Sequence, residues 1–246
     1  MTVPSPITTG TTLFNLDLND LVEEAFERCG RELRTGYDFR TARRSLNLLT
    51  IEWANRGINL WTIEQGQIPI NINAGQISYP LPVDTIDLMD QVIRQGSGQN
   101  QVDINITRIS ESTYSTIPNK NTYGRPIQVW INRQSGATYP GTPNTVKYPQ
   151  INIWPTPNQS NFYTFVYWRL RRIQDAGSGV TTQDIPFRFL PVMVAGLSYY
   201  LSKKIAGAEA RIPMLKADYD EAWDWASTED REKAAVRFVP RETFLR

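Results

Sequence analysis

The spacing of apolar residues changes period twice along the chain, and this narrows the possible folds more than any other feature. Near the start, Leu18, Leu21, Val22, Ala25, Phe26 and Cys29 recur at three- and four-residue intervals, the stripe of a one-sided helix. Asp17 stands where a carboxylate caps free backbone N–H groups, and Gly30 where a left-handed residue ends the helix. A second helix is expected from about Asp38 to Gly57, with Ala42, Leu46, Leu49 and Trp53 on one face and Arg40, Arg43, Arg44 and Asn47 mostly elsewhere.

From about residue 58 the period falls to two. Ile68, Ile70 and Ile72 alternate with polar residues or proline, Ala74-Gly75 makes a tight connection, and Ile77, Tyr79 and Leu81 alternate again. That pattern predicts a hairpin with one buried face. Val102, Ile104 and Ile106 repeat it, as do Ile127, Val129 and Ile131, then Ile151 and Ile153, and then Phe162, Thr164, Val166, Trp168 and Leu170. Short alternating runs broken by Gly, Pro and Asn suggest a small antiparallel sandwich or barrel.

Asp175 to Gln183 reads as a linker rich in Gly, Ser and Thr. The helical period then returns. Asp184 is a candidate cap and Pro186 suits a first turn, ahead of Phe187, Leu190, Val194, Leu197, Leu201 and Ile205, with Gly207 as the stop. A last helix is expected from Glu209 to Arg231, with Pro213 in its first turn and Leu215, Tyr219, Ala222, Trp223 and Ala226 as its stripe. Neither helix pair can bury its stripes alone, so the two pairs are expected to pack together. The fold class is α+β: a helical bundle from N- and C-terminal helix pairs, an inserted antiparallel β domain and an extended C-terminal tail. The expected boundaries are 1–60 and 184–233 for the discontinuous α-helical bundle, 61–183 for the β insertion and 234–246 for the tail.

Composition removes several functions. Histidine is absent and Cys29 is the one cysteine. A Ser-His-Asp triad, a Cys-His dyad, an imidazole metal site and a multi-cysteine zinc site are therefore excluded. The formal net charge of +1 lacks the basic excess of a dedicated nucleic-acid binder. A hydrophobic share of 40% supports a packed core and argues against overall disorder. The start, Met1-Thr2-Val3-Pro4-Ser5-Pro6, has no cationic or apolar leader region, and no stretch has the length of a membrane span. The expectation is a protein made in a reducing cytoplasm, with no membrane partner.

Three groups of side chains offer chemistry. The acidic groups Glu23-Glu24, Asp218/Asp220/Glu221/Asp224 and Glu229-Asp230 lie opposite apolar stripes, which reads as solvated helix face rather than paired acid and base. The arginine groups Arg169/Arg171/Arg172 and Arg40/Arg43/Arg44 can meet phosphate or partner carboxylates. Trp130 and Trp154 have the opposite parity to Val129, Ile131 and Ile153, and an outward-facing pair would suit a glycan-binding tail or capsid module. Cys29 reads as a small core residue. No catalytic residue, cofactor or metal ligand is expected.

The tail is more distinctive. Arg231, Lys233, Arg237, Arg241 and Arg246 stand against Glu232 and Glu242. Val236, Phe238 and Pro240 alternate with Arg237 and Val239, and Phe244-Leu245 follow. A cationic, apolar, extended end suits strand addition or groove docking on another protein.

The ordered set of motifs resembles the head-to-tail adaptor family of short-tailed bacteriophages, the tail tubular protein A-like group. The matching residues are Leu46-Asn47-Leu48-Leu49, Trp53, Gly57 and Leu60-Trp61; Tyr79-Pro80-Leu81-Pro82 with Ile86, Leu88 and Val92; Arg108-Ile109-Ser110 with Tyr114 and Ile117-Pro118; Gly124-Arg125-Pro126 with Trp130; and Ile153-Trp154-Pro155-Thr156-Pro157. The resemblance covers roughly residues 15–235. It implies a virion structural protein without enzymatic activity, assembled in the host bacterial cytoplasm and located in the neck. It further implies a ring of copies, dodecameric in known members, between the portal protein and the tail nozzle or tail tube. Double-stranded DNA would pass through that ring without specific binding, and the packaged genome would be retained. On this resemblance Val236, Arg237, Phe238, Pro240, Arg241, Phe244 and Leu245 are the candidate portal-binding residues.

Overall fold

A computed structural model describes residues 11–57, 60–70, 76–133, 148–159 and 162–231. The chain starts with α1 (Leu18–Arg28) and α2 (Gly36–Arg56). Strands β1 (Ile63–Ile70), β2 (Ser78–Pro80), β3 (Thr85–Gln95), β4 (Val102–Asn105) and β5 (Thr107–Ile109) lead to a short helix, α3 (Glu111–Ser115). Then come β6 (Tyr123–Gly124), β7 (Gln128–Asn132), β8 (Gln150–Trp154), β9 (Thr156–Pro157) and β10 (Tyr163–Arg171). Helices α4 (Leu190–Ser202) and α5 (Ile212–Glu229) close the described chain. With helices and mostly antiparallel strand pairs, the class is α+β, as expected. The described residues up to Glu52 and from Asp175 onward form one compact unit, and those from Trp53 to Gln174 a second.

In the helical unit the expected caps are in place. The Asp17 carboxylate accepts from the Asp20 N–H at 2.9 Å, and Gly30 takes φ +79° just past the end of α1. Leu18, Leu21, Val22 and Ala25 are fully buried, as are Ala42, Leu46 and Leu49 of α2. Helix α4 is the centre of this unit and packs against both α1 and α5. Its apolar residues run nearly all round it, from Leu190 and Val192 to Leu197 and Leu201, which is the mark of an enclosed helix. One carboxylate ties three helices: Glu52 of α2 accepts from the hydroxyls of Tyr200 on α4 and Tyr219 on α5.

Two expectations in this unit are corrected. Helix α4 starts at Leu190 with Pro191 in its first turn, not near Asp184; residues 187–189 form a tighter turn closed by Phe189 N–H to the Pro186 carbonyl at 2.9 Å. The helix ends at Ser202, ahead of Gly207, where the Lys204 N–H makes a tighter three-residue bond to the Leu201 carbonyl at 2.8 Å. The second correction concerns residues 175–183, which are not a free linker. The carbonyls of Gly179 and Thr181 accept from the N–H groups of Asn19 and Leu18 at 3.0 Å, satisfying donors that the first turn of α1 leaves open. Ala176 is buried, its N–H donates to Asn47 and its carbonyl accepts from Arg43.

The strand unit contains two four-stranded sheets, in the orders β1-β10-β3-β4 and β2-β8-β7-β5, and a small β6-β9 pair. One apolar core draws on both larger sheets, with Ile70, Leu88, Ile93 and Phe165 from the first and Tyr79, Val129, Ile151 and Ile153 from the second. The expected hairpin between β1 and β2 does not form. Strand β1 pairs antiparallel with β10 over its whole length, Ile63 opposite Leu170 to Ile70 opposite Tyr163, while β2 pairs with β8. The proposed connection at Ala74-Gly75 lies outside the described residues. The parity expected for β10 holds only in part: Val166 is fully buried, but Tyr163, Phe165 and Tyr167 enter the core shared by the two sheets, whereas Thr164, Trp168 and Leu170 are half-buried. Three of the four aromatic rings of β10, those of Tyr163, Phe165 and Tyr167, lie on that core-facing side.

Candidate functional site

The residues proposed for portal binding, Val236, Arg237, Phe238, Pro240, Arg241, Phe244 and Leu245, lie outside the described residues. The surfaces of the described residues are informative in two ways. They show which candidate groups are already engaged, and they reveal a groove that the sequence did not disclose.

Of the three arginines grouped at the end of β10, Arg169 and Arg171 are internally neutralised and Arg172 is exposed. Arg169 is buried and reaches Asp84 and Glu64, the latter at 2.8 Å, with the Thr85 hydroxyl at 3.1 Å. Arg171 pairs with the same Glu64 at 2.6 Å. Burial raises the Asp84 pKa, but the hydrogen bond and charge of Arg169 overcome it, so the carboxyl titrates below its ordinary range. Guanidinium groups held this way are not free to grip phosphate. The α2 group differs. Arg40 and Arg44 are exposed beside a surface hollow that Tyr37, Arg43 and Asn47 also line. Lys204 feels that charge: burial first and Arg44 second push its pKa down.

The tryptophans turn outward from the β7–β8 pair as their parity requires, and both are engaged. Trp130 stacks on Tyr114 of α3 with ring centroids 5.2 Å apart, and the Trp154 indole N–H donates to the Asn119 carbonyl at 3.0 Å. Helix α3 and the chain that follows it therefore take up part of each tryptophan, and both side chains are half-buried. Cys29 is a core residue: its thiol donates to the Ser198 carbonyl at 3.2 Å, and burial raises its pKa to about 11. Among the described residues no group of three or more His, Cys, Asp or Glu could hold a metal ion. Nor is any helix among them long and apolar enough to cross a membrane.

The groove lies between α1 and the start of α4 and has a volume of about 690 Å³. Its apolar lining includes Phe14, Leu16, Phe187, Leu190 and Val194, and its α1 side carries Asp20, Glu23, Glu24 and Glu27 with one cation, Arg28. Arg28 is already paired with Glu24 at 2.8 Å. Phe14 and Phe187 are 76% and 78% exposed, a large solvent-facing aromatic area for one site. The acidic stripe was legible as a helix face. Its apolar neighbour was not, because Phe14 and Phe187 are far apart in sequence and meet through tertiary packing alone.

The family profile described as SU10 adaptor protein matches residues 16–240, which spans both units. The chain belongs to the SU10 adaptor protein family. Membership places it among phage adaptor proteins, which are structural components of the virion neck and contact other head and tail components. Proteins of this adaptor class are generally non-enzymatic. No curated protein shows significant similarity to the chain.

Proposed function

We propose that this adaptor is the head-to-tail connector of its phage: a ring of copies, twelve by analogy with the class, seated between the portal protein and the tail nozzle or tail tube. The ring extends the channel for double-stranded DNA and helps retain the packaged genome after assembly in the host bacterial cytoplasm. The observation that carries this reading is the family match across residues 16–240. In this reading residues 1–60 and 184–233 act as one discontinuous helical domain, residues 61–183 as a β insertion and residues 234–246 as the portal-docking element. Phe238, Phe244 and Leu245 fill apolar pockets, Arg237 and Arg241 pair with portal carboxylates, and Val236 and Pro240 hold the segment extended. Repetition around a ring multiplies weak single contacts.

The internal neutralisation of Arg169 and Arg171 supports passage of DNA without specific binding. A channel that gripped phosphates would oppose sliding, since each neutralised phosphate adds salt-dependent affinity.

The test is the native mass and image of the purified adaptor, alone and mixed with its portal. A ring many times the 28.1 kDa protomer that caps the portal is expected. A protein that stays a protomer in both conditions overturns the reading. Deleting residues 234–246 should leave folding intact and abolish attachment to portal-bearing heads. Normal attachment by the shortened chain would move the portal contacts elsewhere.

A further inference from the structure

We propose that residues 234–246 of this chain occupy the acidic groove between α1 and α4 of the same copy while the portal is absent. The groove offers what this segment needs. Four carboxylates line one side, and the single cation among them is spent on Glu24. The segment carries Arg237, Arg241 and Arg246 against Glu242, together with Phe238 and Phe244. The two charge patterns are complementary.

The geometry agrees with the charge. In an extended segment Val236, Phe238 and Pro240 point to one side and Arg237, Val239 and Arg241 to the other. The first set can face Phe14 and Phe187 while the second reaches the α1 rim. Arg237 to Arg241 spans about 13 Å when extended, close to the roughly 10 Å that separates Asp20 from Glu27 along a helix.

The chain also leaves the described fold at the right place. The Asp230 carboxylate, one residue past α5, accepts from Arg188. Arg188 is the immediate neighbour of Phe187, which lines the groove. From Arg231 the segment needs to cross only a few residues, at about 3.3 Å each, to reach it. Docking in the same copy has a further advantage: the tether makes binding intramolecular, so weak contacts suffice.

The consequence is a sheathed tail. The aromatic and basic groups proposed to engage the portal are covered until the portal competes for them. That release step rests on the portal reading; occupancy of the groove does not.

The test compares tryptic cleavage after Arg237 and Arg241 in the full chain and in a Glu23→Lys/Glu27→Lys variant. Both positions are exposed, so the fold should survive, and thermal melts check that. Cleavage should be about tenfold faster in the variant, because only the undocked fraction is cut. A peptide of residues 234–246 should bind the shortened wild-type chain and not the shortened variant. Equal cleavage rates, or peptide binding that ignores the two substitutions, would overturn the proposal. A Glu27→Cys/Arg241→Cys pair separates copies: on oxidation a closed, protomer-sized product is expected, and disulfide-linked dimers would assign the groove to a neighbour's tail and overturn the same-copy claim. Attachment to portal-bearing heads is scored separately. A shortened chain that still attaches sinks the portal reading and leaves the cleavage result to decide this one.

Discussion

Gly196 of α4 lies so close to Leu49 of α2 that a Cβ at the glycine would stand 2.9 Å from both Leu49 methyl carbons, and 2.9 Å from a ring carbon of Tyr219 on α5. Three helices converge on this one absent side chain. A glycine costs a helix about 1 kcal/mol relative to alanine, and here close packing offsets that loss. Gly196→Val should lower stability by about 2–3 kcal/mol through overpacking. Leu49→Ala, costly alone, should recover part of that loss in the double variant. Urea unfolding of the two single variants and the double one checks this, and strict additivity would contradict the contact.

Leu46 and Leu197 sit on different helices and are both fully buried. Each change to alanine should cost about 2–5 kcal/mol, because the removed methyl groups leave a cavity that rigid neighbours cannot refill. Exposed Leu48 on the same α2 should tolerate alanine within about 0.5 kcal/mol. Equal losses at Leu46 and Leu48 would mean the face of α2 has been assigned wrongly.

The Arg169 group gives stability an acid limb. Asp84 titrates below its ordinary range when folded, so its contribution is present above the unfolded carboxylate pKa, about 3.9. It is lost as pH falls through the lower folded value. Arg169→Met should cost about 1–2 kcal/mol at neutral pH, a modest figure because Asp84 and Glu64 remain partly exposed and can hydrate. The variant should also lose less stability than the parent as pH falls below about 4. Parallel pH profiles for the two proteins would count against the network.

Cys29 should be slow to react. With a folded pKa of about 11 in place of 9.0, the thiolate fraction at pH 8 falls by about 100-fold, and burial blocks access as well. The raised value favours the neutral thiol, so this contribution is complete below pH 9 and fades as pH climbs towards 11. Labelling with a disulfide reagent at pH 8 should follow unfolding of the helical unit. Instant stoichiometric labelling of the native protein would show an accessible thiol instead.

Much of the helical unit was legible because its signals are local. Asp17 caps within three residues of itself, Gly30 terminates α1 where its backbone turns left-handed, and the stripes on α1 and α2 are read from spacing alone. Strand pairing was less legible, since alternation tells which face is buried but not which strand lies alongside. Ile68 and Tyr79 share a pattern and end up in different sheets. In β10 both parities are apolar, Val166 and Trp168 against Phe165 and Tyr167, and period two cannot rank them. The α1–α4 groove joins Phe14 to Phe187, far apart along the chain, which no local pattern encodes. The family resemblance carried the functional class further than the residues alone.

The bond from the Ala176 N–H to Asn47, 2.8 Å long, has an evolutionary reading. The polypeptide departs from the helical unit after Glu52 and is back against the same helix by Ala176, barely more than one turn from where it left. A segment whose two ends nearly touch can be exchanged, lengthened or removed without redrawing what surrounds it. Joining Glu52 to Asp175 through a short flexible bridge should therefore leave a foldable helical remnant. The four helices of the first unit would then keep their own core whatever the β portion carries.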